Sequence, residues 1–395
     1  EPLLLRLLED TVIRDAELER TIVETRRRML KEPLALPAMI AVAHQCFNTE
    51  YVFDETPEER ERVDALRPTD PNSYAAYASY RPLSRLERVD RGEIESLARR
   101  QIDEPSEEKR LAGTIPLIGR TDDPVSVKVG AQYEENPYPR WVRTQAAFDP
   151  VARGGSTRIL VAGCGTGQHA VATALRYPRG TVLAVDLSLA SLAYAKRKSA
   201  ELGVANIEYR QGDILALGAL GERFDLIECS GVLHHMAEPL EGWRVLASLC
   251  KPGGRMRIGL YSEAGRRQVV RARELIAERG FSPDPEGIRA ARTEIRKDPL
   301  LAQLARNEDF FSMSGCRDLL FHVHERRFTL PEIESMIAQL GLSFLGFEFP
   351  DSGATARRYL ERFPEDRSGV RLANWHRFEQ EFPDTFSRMY QFWVG

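Results

Sequence analysis

The chain has 395 residues, with 55 Lys+Arg, 59 Asp+Glu, a formal net charge of -4 and 43% hydrophobic residues. That balance excludes wholesale disorder and low-complexity architecture, and the length allows two or three domains with real cores. A slightly acidic chain gives no reason to expect a generally nucleic-acid-binding surface, so no nucleic-acid partner is expected.

The opening EPLLLRLLED looks briefly like a signal peptide but does not read as one. Arg6 interrupts its apolar run, no basic segment precedes it and no small-residue cleavage site follows. No run of about 18 apolar residues occurs. A cytoplasmic protein with no membrane partner is expected. The chain starts at Glu1 rather than Met, which leaves room for an upstream domain.

Residues 1–112 are helical in pattern. Leu3, Leu4, Leu7 and Leu8 open an amphipathic segment, and Leu18, Ile22, Thr25, Met29 and Leu30 continue on a similar period. Leu36, Met39, Ile40, Ala43 and Phe47 line another face. Thr56-Pro57-Glu58-Glu59 reads as a cap with proline at the first helical position. Arg26-Arg27-Arg28 reads as a solvated helix face. Residues 113–150 form a proline- and glycine-richer linker or lid that carries QYEENPYPRW at 132–141.

From Thr157 onward short β-rich runs alternate with helical runs, the pattern of a parallel α/β sheet. The expected strands are 158–163, 181–186, 207–212, 224–229 and 255–261. Residues 263–325 read as an arginine-rich helical insertion, in which Arg266, Arg267, Arg271 and Arg273 are expected on a solvated face. A helix at 330–341 and strands at 343–349 and 389–394 complete a third domain, 151–395. The five cysteines are odd in number and lack C-x-x-C, so reduced structural thiols are expected. The pairs His234/His235 and His322/His324 lack the i,i+4 spacing of a zinc site, and no metal is expected.

AGCGTGQH follows a strand and precedes a helix. Gly163, Gly165 and Gly167 permit a tight turn and close approach of backbone to a ligand at a helix N-terminus. Asp186 ends the second strand, where a carboxylate accepts hydrogen bonds from ribose hydroxyls. Asp213 and Ile214 follow the third strand and bring a second carboxylate and an apolar face to the same edge. This turn alone suits NAD, FAD or S-adenosylmethionine.

Taken together, VAGCGTG, AVDLS, QGDI, FDLIECSGVLHHM and LCKPGGRMRIGLYS resemble class I S-adenosylmethionine-dependent methyltransferases. QYEENPYPRW and DFFSMSGCRDLLFHVHERRF are similar to bacterial methyltransferases that sometimes follow tetratricopeptide repeats. The resemblance implies a seven-stranded Rossmann-like sheet, its last strand antiparallel and inserted between the fifth and sixth. It implies that Gly163, Gly165 and Gly167 cradle the methionine part of S-adenosylmethionine, with S-adenosylhomocysteine as product. Asp186 and its neighbour Leu187 would hold the ribose, Asp213 and Ile214 the adenine, and Glu228 to Ser230 would face the sulfonium.

His234 and His235 follow the fourth strand and are candidate general bases, because imidazole titrates near neutrality. Tyr133 is a third catalytic candidate in the lid segment. Tyr138, Arg140, Arg317, His322 and His324 are candidate acceptor contacts, since arginine suits a carboxylate or phosphate. The expected reaction is methyl transfer to an oxygen or nitrogen nucleophile of a small molecule or of a protein or peptide side chain. A non-catalytic cofactor-binding module and, less favoured, an NAD-dependent oxidoreductase stay open as alternatives. A homo-oligomer also stays open.

Overall fold

The computed structural model describes residues 2–119, 122–144, 157–351 and 353–395. The expected boundary between residues 150 and 151 lies outside the described residues. The chain divides into two compact units. One comprises Thr114–Glu135, Ala146–Val270 and Val323–Gly395; the other comprises Glu1–Gly113, Asn136–Gln145 and Arg271–His322.

The first unit is built on a seven-stranded sheet. Its strands are β1 (Arg158–Ala162), β2 (Thr181–Asp186), β3 (Ile207–Gln211), β4 (Phe224–Ser230), β5 (Cys250–Tyr261), β6 (Phe344–Phe347) and β7 (Met389–Val394). The order is β3-β2-β1-β4-β5-β7-β6. β1 to β5 run parallel, and β7 pairs antiparallel with both β5 and β6. This is the sheet the resemblance implies. β5 begins at Cys250, earlier than the 255–261 expected, with a register shift opposite Phe224 and Leu226.

The central strands are covered on both faces, which is why they read as unbroken apolar runs rather than alternations. Leu160, Leu183, Ile227 and Ile258 point into one core with Trp243 and Phe392, while Ile159, Val161, Val182 and Ala184 point into another with Ala170 and Leu192. Helices Gln168–Arg176, Leu189–Glu201 and Pro239–Leu249 supply the covering layers. Ser188 caps the second of these by accepting the Ser191 N–H at 3.0 Å. Proline at the first position starts the third.

The second unit is helical. Thr56 and Glu59 close the anticipated capping box over Pro57. Leu8 is buried, whereas Leu3, Leu4 and Leu7 stay exposed. Met39 and Ala43 enter the core as the pattern predicts. The arginine triplet does not form a solvated face. Arg26 is buried, lies 4.1 Å above the Tyr80 ring and donates to Glu59 at 3.3 Å and to the Asp54 carbonyl. Arg27 also reaches Glu59, at 3.2 Å, so of the three Arg28 alone keeps to a surface pair, with Glu32.

The insertion contributes Pro285–Lys297 to this unit through one buried cation. Arg292 is 1% exposed and uses its whole fork. It donates to both Glu19 carboxylate oxygens at 3.1 and 2.9 Å, to the Phe310 carbonyl at 2.9 Å and to the Val52 carbonyl at 3.0 Å. Removing one member of such a network leaves the rest buried without compensation. Arg292→Ala is expected to cost about 3–5 kcal/mol in urea unfolding. A change under about 1 kcal/mol, the range of an exposed pair, would contradict that role.

Candidate active site

The glycine turn joins β1 to the helix Gln168–Arg176. Gly163, Gly165 and Gly167 have φ of 72°, 52° and 82°. Side chains rarely adopt that region, and space forbids them as well. A Cβ on Gly163 would lie 2.3 Å from Val232, and one on Gly167 2.4 Å from Ala195. The turn is tied to the end of β2. The Gly163 and Cys164 N–H groups donate to the Val185 carbonyl at 2.8 and 3.0 Å. The Gly165 N–H donates to Asp186 Oδ2 at 2.7 Å, and the Ser188 N–H to Asp186 Oδ1 at 2.9 Å. Burial pushes the Asp186 carboxyl above its usual range, and these N–H groups oppose that shift.

Asp213 stands at the same edge, after β3. Its Oδ1 accepts the Leu215 N–H at 2.8 Å. Its Oδ2 is buried and has no hydrogen-bond partner among the described residues. Such an orphaned acceptor carries a desolvation cost that a ligand N–H donor would offset. Ile214 beside it is buried. Leu187 is half-buried, and its carbonyl accepts from Gln211 Nε2 at 3.0 Å. The glycine cradle, the Asp186 acceptors and the orphaned Asp213 oxygen therefore fit the adenosyl cofactor that the sequence resemblance implies.

Glu228 differs from expectation. Its carboxylate does not present itself at the strand end; it turns onto the helix after the glycine turn. His169 Nε2 lies 2.8 Å away, and the Thr173 hydroxyl donates at 2.5 Å. His169 and Thr173 are four residues apart, so they share one helix face. Burial raises the Glu228 carboxyl, but His169 and Thr173 outweigh it and hold the group down at about 2. The i,i+4 pair directly after the glycines was the sequence signal for this clamp. Ser230, by contrast, ends β4 half-buried, with its hydroxyl against Met389 Sδ at 3.5 Å.

The two histidines are held differently. His234 has no exposed surface; its ring stacks on Tyr261 at 3.7 Å, and its Nδ1 accepts the Tyr261 N–H at 3.3 Å. His235 is buried with its Nδ1 2.8 Å from the His324 carbonyl. A carbonyl can only accept, so Nδ1 donates to it and the ring's orientation is fixed. His324 Nε2 in turn lies 3.1 Å from the Met236 carbonyl. Arg266, expected on a solvated face, is buried. It covers the Tyr261 ring at 3.9 Å and pairs with Glu325. Arg273 also departs from that face and donates to the Leu319 carbonyl at 3.1 Å.

The expected lid is divided. Gln132 to Glu135 end the helix Pro124–Glu135 in the sheet unit. There the Tyr133 carbonyl and the Glu134 carboxylate accept from Ser188 Oγ at 3.0 and 3.1 Å, and Glu134 also accepts the Ala190 N–H at 3.0 Å. Tyr138 and Arg140 belong to the helical unit. Tyr138 donates to Asp309 at 2.7 Å, and Arg140 lies 4.6 Å above the Phe47 ring. Arg317 and His322 belong to the helical unit as well, Arg317 donating to the Pro283 carbonyl.

Residues 159–254 match the model of a methyltransferase domain. The chain is 30% identical over 303 residues to an uncharacterized protein of a Synechococcus strain, covering 69% of this chain and 72% of that one. It is 30% identical over 175 residues to a ubiquinone biosynthesis O-methyltransferase of Pseudomonas putida, covering 44% of this chain but only 63% of that relative. Among solved structures, PKMT2 of Rickettsia typhi in complex with AdoHcy aligns with a TM-score of 0.47 at 16% identity, over 71% of this chain and 53% of that one.

The Glu228 clamp is testable by pH. Its folded carboxyl lies at about 2 against an ordinary 4.5, so its stabilisation is complete above 4.5 and is lost as pH falls toward 2. Glu228→Gln is expected to cost on the order of 3 kcal/mol near pH 5. The gap to wild type in urea unfolding should close across that acid window. A gap that stays constant there would contradict the clamp.

Proposed function

This chain belongs to the class I S-adenosylmethionine-dependent methyltransferases, and on that premise we propose that it methylates an oxygen or nitrogen nucleophile, a hydroxyl foremost, on a small molecule or a protein side chain. The observation that carries the proposal is the sheet edge where the glycine turn, Asp186 and the orphaned Asp213 oxygen converge. The preference for oxygen draws on the relative named a ubiquinone biosynthesis O-methyltransferase. A dinucleotide site is disfavoured, because Gln168 opens the helix where a third spaced glycine would stand.

When bound, the cofactor supplies a methyl group on a sulfonium with a thioether leaving group. The chain's own work is alignment and exclusion of water. Gly163, Gly165 and Gly167 let backbone approach the methionine part. Asp186 accepts from the ribose hydroxyls, Asp213 Oδ2 from the adenine amino group, and Ile214 covers the ring. His235 is the proposed base. Its Nδ1 is anchored to the His324 carbonyl, which orients the imidazole, a group able to take the proton that a hydroxyl or ammonium acceptor must lose. His234, enclosed against Tyr261, positions the loop instead of moving the proton.

Labelled-methyl transfer tests this reading directly. Purified chain would be screened against phenols, aliphatic alcohols, amines and lysine peptides. Label on an oxygen or nitrogen acceptor is expected. His235→Ala should lower kcat by roughly 100-fold or more, with affinity for S-adenosylhomocysteine retained. Label carried only by carbon or sulfur acceptors would overturn the acceptor class, and undiminished kcat would remove His235 as base.

A further inference from the structure

The helical unit contains a cleft that plays no part in the chemistry above. It encloses about 460 Å³, within the range of small-molecule sites, and its wall includes four guanidiniums and four carboxylates. The carboxylates are all committed. Glu55 is held by both Arg81 nitrogens at 3.1 and 2.7 Å. Glu286 pairs with Arg60 at 2.6 Å. Glu50 accepts the Ser314 N–H at 2.7 Å, and Asp284 accepts the Gly287 N–H at 2.8 Å.

Two cations are left over. Arg85 is exposed and has no carboxylate partner among the described residues. Arg289 is half-buried and spends one edge of its fork on a neutral acceptor, the Tyr51 carbonyl, with Nη2 at 2.7 Å and Nε at 3.3 Å. Its burial, with Arg26 and Arg81 nearby, lowers its affinity for the proton despite the field of Glu55. An anion beside it would relieve that cost.

The backbone at this wall is also special. Glu50 and Tyr51 have φ of 56° and 58°, consecutive left-handed residues where glycine or asparagine is the usual choice. The Tyr51 N–H closes onto the Cys46 carbonyl at 2.8 Å, so the turn ends the helix Leu36–Asn48 and presents the Tyr51 carbonyl to Arg289. Strained non-glycine backbone held in place by its surroundings gathers at ligand sites.

We propose that this cleft binds a small ligand through an oxyanion, a carboxylate or a phosphate, with Arg289 and Arg85 as its anchors. Arg289 offers its remaining guanidinium edge and Arg85 an exposed one, the fork geometry that suits either group. The site lies within the helical unit and does not rest on the methyl-transfer reading.

Calorimetry on the full chain, saturated with S-adenosylhomocysteine and held at constant ionic strength with NaCl, decides the matter. Inorganic phosphate and succinate are titrated separately. Saturable binding of at least one is expected, and which one binds identifies the group. The Arg85→Gln/Arg289→Gln double variant should bind it at least tenfold more weakly, with affinity for S-adenosylhomocysteine unchanged. If loss of Arg289 unfolds the unit, Arg85→Gln alone should still weaken binding several-fold, since that side chain is exposed. Heats no different from NaCl for both probes, or unchanged affinity in the variants, would overturn the proposal.

Discussion

The site depends on the tie between the glycine turn and the end of β2. Three residues with positive φ cannot be held by side-chain packing of their own. Gly163 and Gly165 are held instead by N–H groups that donate to the Val185 carbonyl and to the Asp186 carboxylate, and Gly167 by its N–H to the Cys164 carbonyl. Without Asp186 the Gly165 N–H would lose its charged acceptor, and the turn its fixed relation to the ribose position. The same carboxylate also receives the Ser188 N–H, so it joins the loop after β2 to the loop after β1. One half-buried carboxylate thus fixes two walls of the cofactor edge, and its partial burial at the strand end strengthens its hydrogen bonds.

Around that tie the sheet unit adds clamps rather than catalytic groups. Glu228 grips His169 and Thr173, so the helix that begins at the glycine turn is pinned to β4 by its first turns. Glu134 and the Tyr133 carbonyl meet Ser188 and Ala190 at the start of the next helix. Tyr261 lies between His234, stacked at 3.7 Å, and Arg266, at 3.9 Å, and Arg266 is paired with Glu325. These contacts hold the loop that carries His235, the residue whose ring nitrogen is oriented by a backbone carbonyl.

Much of the sheet unit was legible in the sequence. Strands buried on both faces leave continuous apolar runs, and the three glycines leave a turn that few other residues tolerate. Even β7 could be read from MYQFWV. The charged residues were less legible. Arg26, Arg266 and Arg292 look like solvent-facing residues in any local window, yet each is buried by partners distant in sequence. Arg292 meets Glu19 across 273 positions. Glu228 lies near the end of β4 as a strand residue, but strand alternation alone does not tell which layer its carboxylate enters. The division of 132–141 between two units was likewise hidden, since one run holds both a helix end and the proline-bounded segment beyond it.

The most direct measurement is calorimetric titration of the purified chain with S-adenosylhomocysteine, alongside Asp186→Ala and Asp213→Asn. Saturable one-site binding is expected in the wild type, lost in Asp186→Ala and weakened at least tenfold in Asp213→Asn, with both variants folded by circular dichroism. Equal affinity in all three proteins, or no binding to the wild type, would contradict a cofactor site at this sheet edge.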